Sequence, residues 1–282
     1  LITGGTGQDG AYLAQLLLGS GYHVYGLCRQ RSSDALVRLT RLGVFASKNL
    51  TLVYGDVTDL GSLMRVVEDV KPNEVYNLAA QSFVGVSWQQ PLYTSLATGL
   101  GALNVFEAVR AKCPSARVYQ ASSSEMFGNS LSLIQDEQTP FYPQSPYAVA
   151  KVFAHHMAVN YRHSFGMPIS CGILFNHESP LRGLEFVTRK ITHTVAKIHC
   201  GQATELVLGN LDAERDWGHA RDYVVAMHAM LQHPPDDYVI ATGRTASVRK
   251  FCELAFDCVG FNMDMFVRSD PAFVRPADVY HL

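Results

Sequence analysis

The chain has 282 residues, 48% of them hydrophobic, and a formal net charge of −2 at pH 7. This composition predicts a globular protein with one large domain, or one domain and a smaller lobe. The near-neutral charge without Lys/Arg runs argues against non-specific binding to nucleic acid or anionic lipid. No segment approaches the roughly 20 apolar residues of a membrane span, and no signal peptide precedes the first strand, so we expect a cytoplasmic protein.

Apolar runs alternate with helical patterns through the first two thirds of the chain. Strands are predicted at His23 to Cys28, Leu50 to Tyr54, Glu74 to Ala79, Arg117 to Ser122 and Ile169 to Phe175. Helices are predicted at Ala11 to Leu18, Leu60 to Val70, Tyr93 to Ala111 and Tyr147 to His163. Repeated βα units predict an α/β fold with a doubly wound parallel sheet, the Rossmann architecture.

Two segments stand out from this alternation. Leu1-Ile2-Thr3 is shorter than an ordinary strand of about 5 to 6 residues, so we expect further residues before it. The proline-rich segment Gly128 to Pro146 predicts a loop, with Ser145 as N-cap and Pro146 at the first position of the following helix. That loop places Tyr147 near the mouth of a cleft.

After Phe175 the alternation loosens. Helices are predicted at Phe186 to His199 and Asp222 to Leu231, and extended segments at Glu205 to Leu208 and Tyr238 to Ala241. We therefore predict an NADP-binding Rossmann domain over residues 1–175. Residues 176–282 should form mainly a smaller substrate lobe, interleaved with returning sheet elements.

The six cysteines show no CxxC pair and no Cys/His spacing suited to zinc. They are Cys28, Cys113, Cys171, Cys200, Cys252 and Cys258. We predict free, buried thiols in a reducing compartment, and no metal site.

A glycine triplet, Gly4, Gly7 and Gly10, follows the first strand and opens a helix. In this context glycines let the backbone approach a pyrophosphate at the helix N-terminus, with Gln8 and Asp9 beside it. A tight turn without a ligand is the alternative. The spacing GxxGxxG differs from the GxGxxG of many dinucleotide sites.

The end of the second strand favours NADP over NAD. A NAD site places Asp or Glu there for the ribose 2′-hydroxyl. This chain has Arg29-Gln30-Arg31-Ser32-Ser33 instead, and Arg31, Ser32 and Ser33 suit a 2′-phosphate. A solvated basic turn is the alternative.

Two later strand ends could line the same cofactor. Asp56 and Val57 follow the third strand and could flank an adenine. The segment after the fourth strand could line the nicotinamide path through Leu78, Ala80, Gln81 and Ser82. Taken alone, each segment is more typical of ordinary strand-end packing.

Tyr147 and Lys151 lie four residues apart on one helix face, so the ammonium is expected to lower the pKa of the phenol. Ser123 and Glu125 follow the fifth strand, at the sheet edge where ligands bind. A reductase or epimerase needs only Tyr, Lys and a hydroxyl, whereas Glu125 would serve a second proton transfer that eliminates water. The alternatives are a chance i,i+4 pair and a surface glutamate.

Several sequence blocks resemble the extended short-chain dehydrogenase/reductases and, more narrowly, the GDP-mannose 4,6-dehydratase family. The most specific blocks are Thr3 to Gly10, Gln120 to Gly128, Phe175 to Pro180, Phe186 to Lys190, Leu208 to Asp212 and Arg215 to Gly218. The resemblance covers the chain from Leu1 to about Val279.

The resemblance implies an NADP-dependent lyase of deoxysugar biosynthesis that acts on GDP-mannose. Tyr147 would take the proton of the 4-hydroxyl while NADP accepts hydride from C4. Glu125 would then remove the C5 proton and help to expel the C6 hydroxyl, and hydride would return to C6. The product would be GDP-4-dehydro-6-deoxy-mannose.

Further site residues follow from the resemblance alone. The cofactor would contact Tyr93, Lys151, His177 and Arg182. The substrate would contact Ser82, Ser123, Glu125, Asn176, Val187, Lys190, Gly209, Arg215 and Arg275. Relatives assemble through helices of the sheet domain and through the Arg31 loop, so a homodimer or homotetramer is expected.

Some positions depart from the family pattern. Ser123 replaces a usual threonine and keeps the hydroxyl. Gln30 and Gln144 replace arginines, and Asp278 and Tyr280 replace glutamate and aspartate, which puts the 2′-phosphate and nucleotide ribose contacts in question. Relatives also continue beyond this point, so the chain is expected to be truncated at its C-terminus.

Two other functions remain open at this stage. A GDP-sugar 4-keto reductase or nucleotide-sugar epimerase shares the glycines, tyrosine and lysine but does not need Glu125. A catalytically inactive nucleotide-binding or scaffolding paralogue is the alternative of another class.

Overall fold

The computed structural model describes residues 1–29, 36–132, 134–273, 276, 277, 279, 281 and 282. Seven strands within these residues form one large sheet: β1 Ile2–Thr3, β2 Val24–Cys28, β3 Leu50–Tyr54, β4 Glu74–Asn77, β5 Arg117–Ala121, β6 Ile169–Leu174 and β10 Asp237–Ile240. Their order across the sheet is β10-β6-β5-β4-β1-β2-β3, and each neighbouring pair is parallel. This topology confirms the predicted doubly wound sheet.

Helices cover both faces of this sheet. They are α1 Gln8–Gly19, α2 Val37–Arg41, α3 Leu60–Val70, α4 Val84–Ser87, α5 Pro91–Thr94, α6 Gly101–Lys112, α7 Pro146–Phe165, α8 Val187–His199, α9 Ala220–Met230 and α10 Val248–Asp257. Helices α1 and α9 bury one apolar cluster against the sheet, and α3, α6 and α7 bury another on the opposite face. Among the described residues, no helix is both long and apolar enough to cross a lipid bilayer.

A smaller lobe is built from short strands and two helices. Strands β7 Asn176–Glu178, β9 Glu214–His219 and β11 Thr245–Ser247 form one small sheet, and β8 Leu206–Leu208 pairs with β12 Val267–Ser269. Helices α8 and α10 share a separate apolar cluster with β8. Since α9 and β10 return to the large sheet, the lobe interrupts the Rossmann order instead of following it.

Local sequence explains the placement of α7, which carries two predicted catalytic residues. The Ser145 hydroxyl accepts a hydrogen bond from the Ala148 amide at 3.1 Å, and Pro146 occupies the first helical turn. Gly166 ends the helix with φ of +64°, a conformation that favours glycine. The predicted N-terminal cap is therefore confirmed.

Other predictions needed correction. The helix predicted from Tyr93 to Ala111 is three consecutive pieces, because a π-helical turn at Ser95–Leu100 separates α5 from α6. All six cysteines are free. Burial is right for Cys28, Cys171 and Cys252 but wrong for Cys200 and Cys258, which are exposed.

Candidate active site

A cleft of about 600 Å³ lies at the carboxyl edge of the large sheet, where residues of the smaller lobe also line it. Its size falls within the range typical of small-molecule sites, about 300 to 1,000 Å³. The glycine loop, the ends of β2, β4 and β5, the start of α7, and residues of α8 and β9 all line it. The topology thus gathers segments distant in sequence around one space.

The glycine loop brings backbone close to backbone. Gly4 has φ of +69°, and a Cβ atom on Gly10 would lie 2.4 Å from the Gly4 carbonyl oxygen. Gly7 is the N-cap of α1, and among the described residues no side chain makes a capping hydrogen bond there. These features form a cradle that suits the pyrophosphate of a dinucleotide.

His177 and Asp9 form a partly buried ion pair between β7 and α1. His177 Nε2 lies 2.9 Å from Asp9 Oδ2, while His177 Nδ1 lies 2.7 Å from the Phe175 carbonyl oxygen. Burial disfavours both charges, but the attraction and hydrogen bond between the two side chains outweigh it. The pKa of Asp9 is therefore lowered to about 2 and the pKa of His177 is raised. Gln8 also donates to Asp9 and to the His177 carbonyl oxygen, which holds the helix start against the lobe.

Two arginines that sequence reasoning did not select line the cleft: Arg29, which follows β2, and Arg38 of α2. Arg29 NH1 donates to the Tyr93 hydroxyl at 2.7 Å. Arg38, in α2, donates to the carbonyl oxygens of Leu181 and Thr6. Arg29 belonged to the basic segment already noted, whereas nothing in the local sequence of α2 marked Arg38.

The end of β5 and the start of α7 bring the predicted catalytic groups together. The Ser123 hydroxyl lies close enough to the Tyr147 phenol to favour a lower pKa for Tyr147. The Ser123 hydroxyl also accepts from the Glu125 amide at 3.3 Å. Lys151 Nζ donates to the Ala121 carbonyl oxygen at 2.6 Å, and lies 5.8 Å from the centre of the Tyr147 ring.

The prediction that the pKa of Tyr147 is lowered is wrong for the protein without bound ligands. Burial is the largest influence and raises the pKa of Tyr147 to about 12, although the Ser123 hydroxyl opposes this and the Glu125 charge adds to it. Burial also lowers the pKa of Lys151 to about 8. The reason is desolvation, which disfavours both charged forms more than the lysine favours a phenolate.

Four of the predicted substrate residues lie on the lobe side of the cleft. Asn176 belongs to β7, Val187 and Lys190 to α8, and Arg215 to β9. Lys190 Nζ lies 4.2 Å from the centre of the Phe273 ring, and burial lowers the pKa of Lys190.

Glu178 is a cleft residue that sequence reasoning missed, although it lies inside the quoted block Phe175 to Pro180. Its carboxylate accepts a hydrogen bond from Thr188 and lies 3.4 Å from Arg182 Nε. Burial raises the pKa of Glu178 despite the opposing charge of Arg182. The Arg182 guanidinium in turn stacks 3.7 Å from the centre of the Phe186 ring.

Most predicted site residues line this one cleft. They are Gly4, Gly7, Gln8, Asp9, Gly10, Asp56, Val57, Leu78, Ala80, Ser82, Tyr93, Ser123, Glu125, Tyr147, Lys151, Asn176, His177, Arg182, Val187, Lys190, Gly209 and Arg215. Gln81 is turned away, since its side chain bonds to the Phe83 backbone and to Thr94. Arg31, Ser32, Ser33 and Arg275, like Gln30, Asp278 and Tyr280, lie outside the described residues.

A comparison with known protein families decides among the nucleotide-sugar enzymes. The family model described as GDP-mannose 4,6 dehydratase matches residues 1–282 of this chain. The chain belongs to the GDP-mannose 4,6-dehydratase family. This confirms the predicted family and the enzyme class, a nucleotide-sugar dehydratase.

Individual relatives agree with this membership. The chain is 48% identical over 304 residues to a GDP-mannose 4,6-dehydratase of Sinorhizobium fredii (strain HH103), an alignment that covers 99% of this chain and 86% of that protein. It is 49% identical over 267 residues to a Homo sapiens GDP-mannose 4,6 dehydratase, covering 92% of this chain and 72% of that one.

Solved structures with less similar sequences share the fold. A dTDP-glucose 4,6-dehydratase from Streptomyces venezuelae with NAD bound has a TM-score of 0.88 at 23% identity, covering 99% of this chain and 86% of that one. A UDP-glucose 4-epimerase from Thermus thermophilus, in complex with NAD, has a TM-score of 0.84 at 23% identity, with coverage of 99% and 88%. Such likenesses concern the fold alone.

Proposed function

We propose that this chain converts GDP-mannose to GDP-4-dehydro-6-deoxy-mannose and water, using NADP that is regenerated in each cycle. Membership of the dehydratase family supports the reaction. The observation that carries the assignment of roles is that Glu125 lines the same cleft as Ser123, Tyr147 and Lys151, close enough for its charge to raise the pKa of Tyr147. A carboxylate at this point supplies the second proton transfer that elimination of water requires.

The glycine cradle fits a nicotinamide dinucleotide. The N-terminus of α1 would hold the pyrophosphate, and Tyr93, His177 and Arg182 would line the remaining path. When bound, the oxidised nucleotide would supply a hydride acceptor for C4, the hydride for C6 and a positive charge.

Tyr147 is the base for the first proton transfer. It takes the proton of the 4-hydroxyl as that carbon is oxidised to a ketone, and Ser123 orients the same hydroxyl. A pKa of about 12 in the chain itself means that further positive charge must favour the phenolate. Lys151, held by the Ala121 carbonyl oxygen, keeps an ammonium beneath the tyrosine for this purpose.

Glu125 carries out the elimination. The new ketone makes the C5 proton acidic, so Glu125 removes it and delivers a proton to the departing C6 hydroxyl, which leaves as water. After hydride reaches C6, C5 regains a proton that balances the one taken from the 4-hydroxyl. The atoms balance as substrate equals product plus one water.

Positive side chains of the lobe suit the diphosphate of the substrate. Arg215 is 7% exposed and donates to the Glu214 carbonyl oxygen, and Lys190 is half-buried in the same cleft. A guanidinium can bind two phosphate oxygens at once. Glu178, Asn176 and Ser82 would face the sugar and its hydroxyls.

NADP is favoured over NAD by the charges near the end of β2. Arg29 follows β2 and lines the cleft, and its guanidinium can pair with a ribose 2′-phosphate; Arg38 of α2 lines the same cleft and adds positive charge. We expect Arg29→Ala to raise the KM for NADP at least tenfold without changing the KM for NAD, measured by initial rates with GDP-mannose. Equal effects on both cofactors would contradict this role.

We also propose a homodimer formed by one helical face. Large apolar side chains are exposed along α5, the π-helical turn and α7: Leu92, Leu96, Leu100, Val149 and Phe153. Contiguous apolar surface of this kind marks protein interfaces. Phe153→Glu should shift the mass measured by analytical ultracentrifugation from dimer to monomer, whereas Leu254→Glu, at an exposed apolar residue of α10, should not.

The central test is a product assay with GDP-mannose and catalytic amounts of NADP. Wild type should yield a product lighter by one water, by mass spectrometry, with no net change in NADPH absorbance. Glu125→Gln should lose this product by about 10²- to 10⁴-fold while still binding NADP. Stoichiometric NADPH oxidation with a keto sugar, and no dehydration, would instead assign a reductase.

A further inference from the structure

Helix α7 contacts the end of β5 through side chains spaced four residues apart. Tyr147, Lys151 and His155 fall within about 80° of arc on the helix, since each residue turns it by about 100°. Tyr147 and Lys151 belong to the site described above. His155 lies one turn further from the cleft and is buried, with 3% exposure.

The three side chains meet consecutive residues of the β5 end. Lys151 Nζ reaches the Ala121 carbonyl oxygen at 2.6 Å, and His155 Nδ1 lies 2.9 Å from the Ser122 hydroxyl. Tyr147 lies beside Ser123, whose hydroxyl influences the pKa of the phenol. One face of α7 thus contacts three consecutive residues at the end of β5. These residues lead directly to Glu125.

The far side of the His155 ring is tied to the sheet edge. His155 Nε2 lies 3.6 Å from Asp237 Oδ2, an electrostatic contact longer than a hydrogen bond. The other oxygen of Asp237 accepts from Arg162 NH2 at 3.0 Å. Asp237 is paired in register with Cys171 of β6, whose thiol lies beside Asp237 and Ser122.

The same residues also resemble a metal site. Single ligand atoms of His155, Cys171 and Asp237 lie within 4.8 Å of one another. However, Arg162 already balances the carboxylate charge, and Ser122 already engages Nδ1 of the ring. A cation would have to displace an arginine from a buried carboxylate, so a neutral hydrogen-bonded imidazole accounts better for the cluster.

We propose that His155 is a positioning residue for the dehydration: by holding Ser122 it sets where Ser123 and Glu125 stand relative to Tyr147. The inference rests on the proposed function, because it assigns a role within that site. The neutral imidazole accepts a hydrogen bond from the Ser122 hydroxyl at Nδ1 and directs its Nε2–H toward Asp237. A misplacement of about 1 Å in such a group can cost about 10²-fold in rate.

The test compares three variants in the GDP-mannose assay. His155→Phe keeps most of the volume and removes the hydrogen bond, and His155→Gln keeps a polar group that can bond to Ser122. His156→Phe, at the exposed neighbouring position of α7, is the matched control. We expect kcat to fall 10- to 100-fold in His155→Phe, less than threefold in His155→Gln, and not at all in His156→Phe, with the KM for GDP-mannose unchanged in each.

A second measurement does not depend on turnover. In ¹⁵N NMR spectra of labelled holoprotein, His155 should show a neutral ring, and Ser122→Ala should move the Nδ1 resonance. In the assay, combining Ser122→Ala with His155→Phe should lower kcat no further than His155→Phe alone, since both remove one contact. If wild type dehydrates nothing, the proposed function fails while these NMR shifts still test the contact.

Three results would overturn the inference. The first is a folded His155→Phe variant with wild-type kcat. The second is an equal loss of kcat in His155→Phe and His155→Gln together with an equal fall in Tm, which would indicate a structural role only. The third is stoichiometric zinc in the purified protein that is lost, along with activity, in Cys171→Ser.

Discussion

Charged side chains are buried at both the amino ends and the carboxyl ends of the strands of the large sheet, but their surroundings differ. The two ends are called here the amino edge and the carboxyl edge. At the amino edge, Glu74 is 5% exposed and accepts from Arg117 at 2.6 Å, Tyr76 at 2.7 Å and Gln232 at 3.0 Å. Both carboxylate oxygens are satisfied. Burial and this carboxylate raise the pKa of Tyr76, so it stays a phenol that donates a hydrogen bond.

At the carboxyl edge the buried groups face an open cleft. Lys151 has a pKa lowered to about 8 by burial, and Tyr147 has one raised to about 12. Within the described part of the chain, neither forms a salt bridge such as the one that joins Glu74 to Arg117. The polar groups at the amino ends of the strands therefore stabilise the fold. Those at the carboxyl ends have shifted pKa values, which are typical of catalytic sites.

The largest expected effect contrasts two buried tyrosines. Tyr147→Phe should lower kcat by about 10²- to 10⁴-fold, because it removes the base, with little change in free energy of unfolding. Tyr76→Phe should leave kcat unchanged and cost about 1–2 kcal/mol of stability, because a satisfied donor is lost. Product assays measure kcat, and urea denaturation measures the free energy of unfolding. A similar kcat in the two variants would contradict the different roles assigned to the two tyrosines.

The hydrogen-bonded cluster around Glu74 should lose most stability when its carboxylate is removed. Glu74→Ala leaves the Tyr76 hydroxyl and the Gln232 amide without their acceptor, so the free energy of unfolding should fall by about 2–3 kcal/mol. The kcat of the folded fraction should stay at the wild-type value. Urea denaturation at pH 7 gives the first quantity, and unchanged stability would show that the amino edge is not a stabilising cluster.

Lys151→Met should separate stability from activity. Burial disfavours the ammonium in the folded chain, so the variant should be about 1–2 kcal/mol more stable at pH 7, after allowing for the lost bond to Ala121, and nearly inactive. The pKa is about 8 in the folded chain against 10.5 ordinarily. Wild-type stability should therefore recover as pH rises from about 8 to 10.5, and the advantage of the variant should disappear over that range.

The smallest effect concerns acid stability. Burial lowers the pKa of His155 to about 4, while Asp237 on β10 opposes this and Arg162 and His156 on α7 add to it. The Cys171 thiol on β6 lies within 4.8 Å of a ring nitrogen. A lowered pKa favours the neutral ring in the folded state, so its stability is complete above about 6.5 and falls as pH drops toward 4. At pH 5 we expect a loss of about 1–2 kcal/mol relative to pH 7.

His155→Gln provides the control for that acid effect, because glutamine does not titrate. Thermal denaturation of wild type and variant between pH 7 and pH 5 gives the difference directly. An equal pH dependence in both proteins would show that His155 does not titrate in the unfolding transition.

Regular elements of the Rossmann part were predictable to the residue where local patterns are strong. Leu50–Tyr54 and Leu60–Val70 were predicted with their observed bounds, because an apolar strand and an amphipathic helix each have a characteristic period. The lobe strands Asn176–Glu178 and Glu214–His219 were missed, since polar residues without apolar alternation carry no strand signal. Their pairing comes from tertiary contacts.

By itself the sequence determined the doubly wound sheet, the glycine cradle and the family, because these depend on local periodicity and on short blocks of characteristic residues. Only the tertiary structure decided the direction of the Tyr147 pKa, the contact of His155 with Ser122 and the presence of Arg38 and Glu178 in the cleft. The physical reason is that desolvation and long-range contacts depend on which distant segments the fold brings together.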